Sequence, residues 1–141
     1  MTQSEPLSRP VPVADDASAA YWAGAREHRL VIMRCRDCAR YVHPPRAVCP
    51  RCQRETLVGE EVSGRGTVYS YHVMHLPGVP GFTPPYAVAV VELAEQPGLF
   101  AVGNVLDCPP EELATGMAVR VTFEELAGSD MTLPQWSREQ T

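Results

Sequence analysis

Residues 35–52, "CRDCARYVHPPRAVCPRC", hold two Cys-x-x-Cys pairs separated by ten residues. In a Cys-x-x-Cys turn both thiolates can face one point about 2.3 Å from a zinc ion, and a second such turn completes a closed tetrahedron. The intervening residues suit a hairpin that returns the chain. Pro44, Pro45 and Pro50 stiffen the approach, because proline fixes its own φ and restricts its predecessor. The spacing predicts a structural four-thiolate zinc site at Cys35, Cys38, Cys49 and Cys52, with iron in the same cage as the competing occupant. A redox dithiol fits less well, since no βαβ frame surrounds the pairs. His43 lies between the pairs, but four thiolates already close the tetrahedron, so it reads as a histidine packed on the prolines.

Outward from this module, the composition is that of a globular chain: 45% of the 141 residues are hydrophobic, enough for one domain, or a domain with a small appended module. No run of about 18 apolar residues occurs, and "MTQSEPLSRPVPVADD" lacks the basic and apolar regions of a secretory signal. The expectation is a cytoplasmic protein off the membrane, with its cysteines reduced. Net charge is −5, but unevenly spread. Residues 34–54 contain six arginines and one acid, whereas the remainder contains six arginines and sixteen acids. A basic cap on an acidic body suits an anionic ligand or an acidic partner surface; it is equally the pattern of a solvated rim around a metal site.

The chain divides into a loose tail (1–14), an N-terminal helix with its lead-in strand (15–30), the zinc ribbon (31–56), a β domain (57–136) and a short tail (137–141). "DDASAAYWAGAREH" predicts a short helix capped by Asp15 or Asp16. "LVIMRC" predicts a strand entering the first knuckle. Beyond the ribbon, "LVGEEVSGRGTVYSYHVMHL", "YAVAVVELAE", "LFAVGNVL" and "MAVRVTFEEL" carry a period of two, with Gly, Pro, Asn or Asp between them. About five antiparallel strands without long helices suggest a small Greek-key barrel of the OB type, so the fold class is mainly β. The loop "HLPGVPGFTPPY" (75–86) is too rich in proline for a ladder and too apolar for an idle turn. It reads either as a lid on the barrel or as a partner-facing loop anchored by Phe82. Cys108 reads as a core residue.

The order of "YWAGAREHRLVIMRC", "HPPRAVCPRC", "SGRGTVYSYHV", "PPYAVAVVEL" and "GMAVRVTFE" resembles a bacterial and archaeal family of zinc-ribbon plus OB-fold proteins associated with acyl-CoA enzymes, long classed as a domain of unknown function. The resemblance spans about residues 15–136, and all four ribbon cysteines are present. It implies a non-catalytic accessory subunit in a hetero-oligomer with a thiolase-superfamily enzyme: a thiolase, an acyltransferase or an aldolase that cleaves steroid side chains. Relatives joined to MaoC-like hydratases belong to the same family. It further implies a structural Zn2+, and a coenzyme A thioester as ligand of the complex. Arg46 and Arg65 would then face the partner or the coenzyme A phosphates, and Phe82 and Tyr86 would line the partner-side substrate route. A nucleic-acid-binding ribbon and barrel is the alternative class; it calls for a basic groove with stacking aromatics, whereas the barrel portion here is acidic.

Overall fold

The computed structural model describes residues 9–139. Helix α1, Ala19–Arg26, starts at Ser18 rather than at Asp15 or Asp16. Asp15 supports that start from one turn earlier: its Oδ1 accepts from the Ser18 N–H at 2.8 Å, and its own N–H donates to Ser18 Oγ at 3.0 Å. Gly24 and Ala25 are the buried positions of α1. A Cβ at Gly24 would strike the Val31 side chain, so glycine lets the helix sit directly on the next strand.

Three strands form the ribbon sheet: β1, Val31–Cys35; β2, Tyr41–Val42; and β3, Leu57–Glu61, in the order β2-β1-β3. Five more form the barrel sheet: β4, Arg65–Met74; β5, Tyr86–Leu93; β6, Phe100–Asn104; β7, Ala118–Glu125; and β8, Thr132–Arg138, in the order β6-β5-β4-β7-β8. All named pairings are antiparallel, and a parallel bridge between Val105 and Trp136 closes the sheet into a barrel. The fold is therefore the expected mainly β one, with an N-terminal helix, a ribbon and an OB barrel.

Two strands differ from the sequence reading. Leu57–Glu61, read as part of the first barrel run, pairs with β1 in the ribbon sheet. The fifth barrel strand is instead Thr132–Arg138, which continues into the segment read as a tail; residues 140 and 141 lie outside the described residues. At the other end, residues 1–8 of the N-terminal tail are also outside them, while Arg9 is fixed by an ion pair to Glu124 at 3.0 Å.

Burial explains the registers. In β5 the inward residues Ala87, Ala89, Val91 and Leu93 alternate with half-buried ones, the period-two signature of a strand with one covered face. They meet Val68, Val119 and Trp136, and Leu30 and Ile32 from the ribbon side join the same core. Cys108 is buried in that core, as expected. The chain between β6 and β7 makes a 3-10 turn at Pro110–Glu112, and Gly116, at φ +90, donates its N–H to the Val68 carbonyl at 2.8 Å.

Candidate metal centre

The two knuckles are built alike. Ala39 donates its N–H to the Cys35 carbonyl at 2.9 Å, and Gln53 donates to the Cys49 carbonyl at 2.8 Å. The Cys35 N–H then reaches the Arg40 carbonyl at 2.9 Å and the Cys49 N–H reaches that of Arg54 at 3.0 Å. Each turn closes through a left-handed residue, Ala39 at φ 62 and Gln53 at φ 59. Neither position is marked by residue type, because glycine or asparagine is the usual sign of that conformation.

The turns bring Cys35, Cys38, Cys49 and Cys52 together, with all four Sγ atoms within 4.8 Å of one another. Cys35 Sγ lies 3.5 Å from Cys52 Sγ, and Cys38 Sγ 3.7 Å from Cys49 Sγ. A tetrahedron with zinc–sulfur bonds of about 2.3 Å has edges of about 3.8 Å. Those two separations match the edge a zinc ion requires, the other sulfur pairs lie within 4.8 Å, and both contacts are far beyond disulfide bonding distance, about 2.05 Å. Their electrostatics agree. The Thr56 hydroxyl, 3.0 Å from Cys35 Sγ, together with the Cys38 N–H, draws the Cys35 thiol down to about 6. Burial and the neighbouring sulfurs push Cys52 up to about 11. Four crowded sulfurs cannot all ionise unaided; a divalent cation removes that conflict. The bound metal would supply a structural cross-link between the knuckles, with every tetrahedral position taken by sulfur.

His43 stands outside this cluster. Its ring packs against Tyr21 with centroids 5.3 Å apart, and burial pushes the imidazole down to about 4. The same burial pushes the Tyr21 hydroxyl up to about 12. His72 and His75 are exposed on and beyond β4.

The remaining sequence-derived positions fall in two places. Arg46 lines a recess of about 110 Å³ with Arg40, Tyr41, His43 and Gln96. Arg65 lines one of about 380 Å³ with Thr67, Glu92 and Gln96, and its guanidinium lies 3.6 Å from Glu139. Gln96 borders both recesses, so the two arginines flank one turn between β5 and β6. Phe82 and Tyr86 lie at the opposite end of β5, roughly 20 Å of strand away. Their rings pair at 5.1 Å and wall a cleft of about 740 Å³ with Arg9, Leu106, Cys108 and Glu124. Sequence reasoning missed Arg9, which spans this cleft: besides its ion pair to Glu124, its guanidinium sits 5.3 Å from the Phe82 ring centroid. Among the described residues, Arg36, Arg40, Arg46 and Arg51 form no ion pair, whereas Arg34 and Arg54 pair with Glu60 and Asp37.

Residues 22–58 match the ChsH2 rubredoxin-like zinc ribbon domain, and residues 59–124 match the ChsH2 C-terminal OB-fold domain. The chain is 39% identical over 134 residues to a "Probable enoyl-CoA hydratase alpha subunit" of Thermomonospora curvata; the match covers 94% of this chain but 41% of that relative, which is more than twice as long. It is 36% identical to a DUF35 domain-containing scaffold protein of Methanocaldococcus jannaschii, over 74% of this chain and 75% of the relative. Among solved structures it resembles a chain of an Ltp2-ChsH2(DUF35) aldolase with a TM-score of 0.82 and 37% identity, over 91% of this chain and 98% of that one. With a four-cysteine ribbon and a closed five-stranded barrel matched in that order, the chain belongs to the ChsH2-type DUF35 family, in which a rubredoxin-like zinc ribbon precedes an OB-fold domain.

Proposed function

We propose that this protein is the accessory subunit of an acyl-CoA-processing complex, docked on a thiolase-superfamily aldolase that cleaves a steroid-type side chain from a coenzyme A thioester. The observation that carries this reading is the whole-length likeness to the DUF35 chain of an aldolase complex. The chemistry of the chain is consistent with it. Carbon–carbon cleavage beside a thioester needs a positioned base or nucleophile and stabilisation of an oxyanion. Here the cysteine cage is closed, burial raises the Cys108 thiol, and His43 is half-buried against Tyr21. The partner would supply the reacting groups.

In this reading Cys35, Cys38, Cys49 and Cys52 hold a structural zinc that rigidifies the ribbon. Arg46 and Arg65, on either side of the Gln96 turn, meet the coenzyme A phosphates or an acidic partner surface. Phe82 and Tyr86 form an apolar contact with the partner at the substrate entrance, where a proline-stiffened loop docks with little ordering cost.

The test is co-purification of the tagged chain from its native source, identification of the bound protein by mass spectrometry, and assay of each component on acyl-CoA substrates. The expected outcome is a thiolase-superfamily protein whose activity or solubility falls when this chain is withheld. Arg46→Glu should weaken the association, and rising salt should do the same, since exposed charge attraction is screened over roughly 8 Å at physiological ionic strength. Turnover by the chain alone, enrichment of nucleic acid instead of an enzyme, or a partner of another superfamily would each overturn the reading.

A further inference from the structure

Strand β4 is unequally covered along its length. It pairs with β5 from Gly66 to Met74, but with β7 only from Arg65 to Thr67. The last bonds on the β7 side run from the Val68 N–H to the Met117 carbonyl at 2.9 Å, and from the Gly116 N–H to the Val68 carbonyl at 2.8 Å. From Tyr69 to Met74, among the described residues, the strand has a sheet neighbour on one side alone. Tyr69, Ser70, Tyr71 and His72 are all exposed. Four consecutive exposed residues mean that both faces of the strand meet solvent from Tyr69 to His72, so this stretch of β4 is an exposed arm whose far end is tied back by Val73, packed against the barrel core. The arm is anchored rather than loose: the register shifts between Val68 and Ser70, and the Tyr69 ring reaches across β5 to Phe100 at 4.7 Å.

An open edge in a protein that stands alone is usually blunted by charge, proline or brevity. This edge has none of the three; a register shift between Val68 and Ser70 bends its base, and from Ser70 to Met74 the ladder with β5 is regular. No Asp, Glu, Lys, Arg or Pro occurs from Thr67 to Leu76, and six residues make an edge of roughly 20 Å. The backbone is a template for strand addition, in which main-chain hydrogen bonds give affinity and flanking side chains give selectivity.

The net charge of the barrel domain as a whole selects the occupant. Residues 57–139 carry three arginines and eleven acids. A second copy placed edge to edge would set two acidic bodies against each other, which electrostatic repulsion disfavours. We infer that the Tyr69–Met74 edge accepts an uncharged β-strand, flanked by basic residues, from a different polypeptide. This rests on the accessory-subunit reading, in which that polypeptide is the partner enzyme, and it adds backbone pairing beside the 75–86 loop.

The experiment uses the zinc-loaded full chain and two synthetic peptides sharing one uncharged Thr/Val strand, one flanked by lysines and the other by glutamates. Hydrogen exchange is followed at Tyr69–Met74. The lysine-flanked peptide should slow exchange there by roughly tenfold or more, an effect that salt diminishes and that the glutamate-flanked peptide does not reproduce. His72→Lys, which places an edge charge of the kind that blocks pairing, should abolish the effect while intrinsic tryptophan fluorescence remains that of the parent. Equal protection by both peptides, protection by neither, or protection without peptide that grows with chain concentration would overturn the inference. Because the probes are peptides, failure here is distinct from failure to recover a thiolase-superfamily partner.

Discussion

The side-chain amide of Gln96 is hydrogen-bonded to both backbone groups of Tyr41: its Oε1 accepts from the Tyr41 N–H at 2.9 Å, and its Nε2 donates to the Tyr41 carbonyl at 3.0 Å. One barrel side chain thus substitutes for a neighbouring strand beside β2, which is only two residues long. The Tyr41 ring lies under the Arg34 guanidinium at 4.6 Å, and Arg34 in turn pairs with Glu60 at 3.1 Å. The turn before β6 and the ribbon are therefore joined through one residue. Gln96→Ala should destabilise the protein by about 1–3 kcal/mol, since it strands two partly buried backbone groups as well as removing two bonds. Gln96→Glu keeps the acceptor for the Tyr41 N–H but sets a carboxylate oxygen against the Tyr41 carbonyl, so it should destabilise as well. Denaturant unfolding in excess zinc measures both, and an unchanged midpoint for Gln96→Ala would show that water replaces the amide without cost.

The cysteine cage makes the ribbon's folding depend on metal. Structural zinc binding in small peptides is worth roughly 10–16 kcal/mol of apparent free energy at neutral pH, and it is lost as folding energy when a ligand goes. Cys49→Ser should lower zinc occupancy sharply and raise amide exchange over residues 35–56. Cys108→Ser should leave the occupancy at one ion per chain, because Cys108 lies in the barrel core. Metal analysis by mass spectrometry decides the matter; full zinc in Cys49→Ser would remove it from the ligand set.

His43 gives the stability a pH dependence separable from that of the thiolates. Its ordinary value of 6.5 in the unfolded chain falls to about 4 in the folded one, because burial disfavours the charged imidazolium. Between those values the unfolded chain binds a proton that the folded chain refuses. The contribution is thus complete above pH 6.5 and is lost as pH falls toward 4, by on the order of 2–3 kcal/mol in total. Comparing His43→Phe with the parent between pH 7 and 5, at one fixed zinc concentration, cancels thiolate protonation common to both. The variant should show the shallower decline; parallel curves would mean that His43 titrates normally.

What could be read in the sequence was what local spacing encodes. The four cysteines are brought together by their two turns, and the alternation of β5 survives because one face is covered. Partner choice was illegible. Leu57–Glu61 has the same period as a barrel strand, and only its pairing with Val31–Cys35 assigns it to the ribbon. Thr132–Arg138 contains Pro134 and few β-branched residues, so its identity as a strand comes from pairing with β7 and from burial of Trp136 rather than from propensity. The sites divided in the same way. Arg46 and Arg65 are brought to one turn through Gln96, whereas their separation from Phe82 and Tyr86 follows from the extended length of β5.

Arg9 is the residue through which the N-terminal segment holds the 75–86 loop. Its guanidinium binds Glu124 at 3.0 Å and covers Phe82, while its backbone runs so close to Gly81 that a Cβ there would lie 2.9 Å from the Arg9 Cα. Gly81 also sits at φ +81, so two separate requirements select glycine at that contact. Glu124 keeps a second donor, Gln135 Nε2 at 3.2 Å, which limits the cost of removing the arginine. Arg9→Ala should therefore lower global stability by only about 1 kcal/mol, from the ion pair and the cation–π contact. It should accelerate amide exchange in the loop well beyond that in β5. Arg9→Glu should be worse, because it sets two carboxylates together, and Arg9→Glu combined with Glu124→Arg should recover much of the loss. Hydrogen exchange on the four proteins forms a double-mutant cycle. Independent effects of the two reversals would show that Arg9 holds the loop by packing on Gly81 and Phe82 alone.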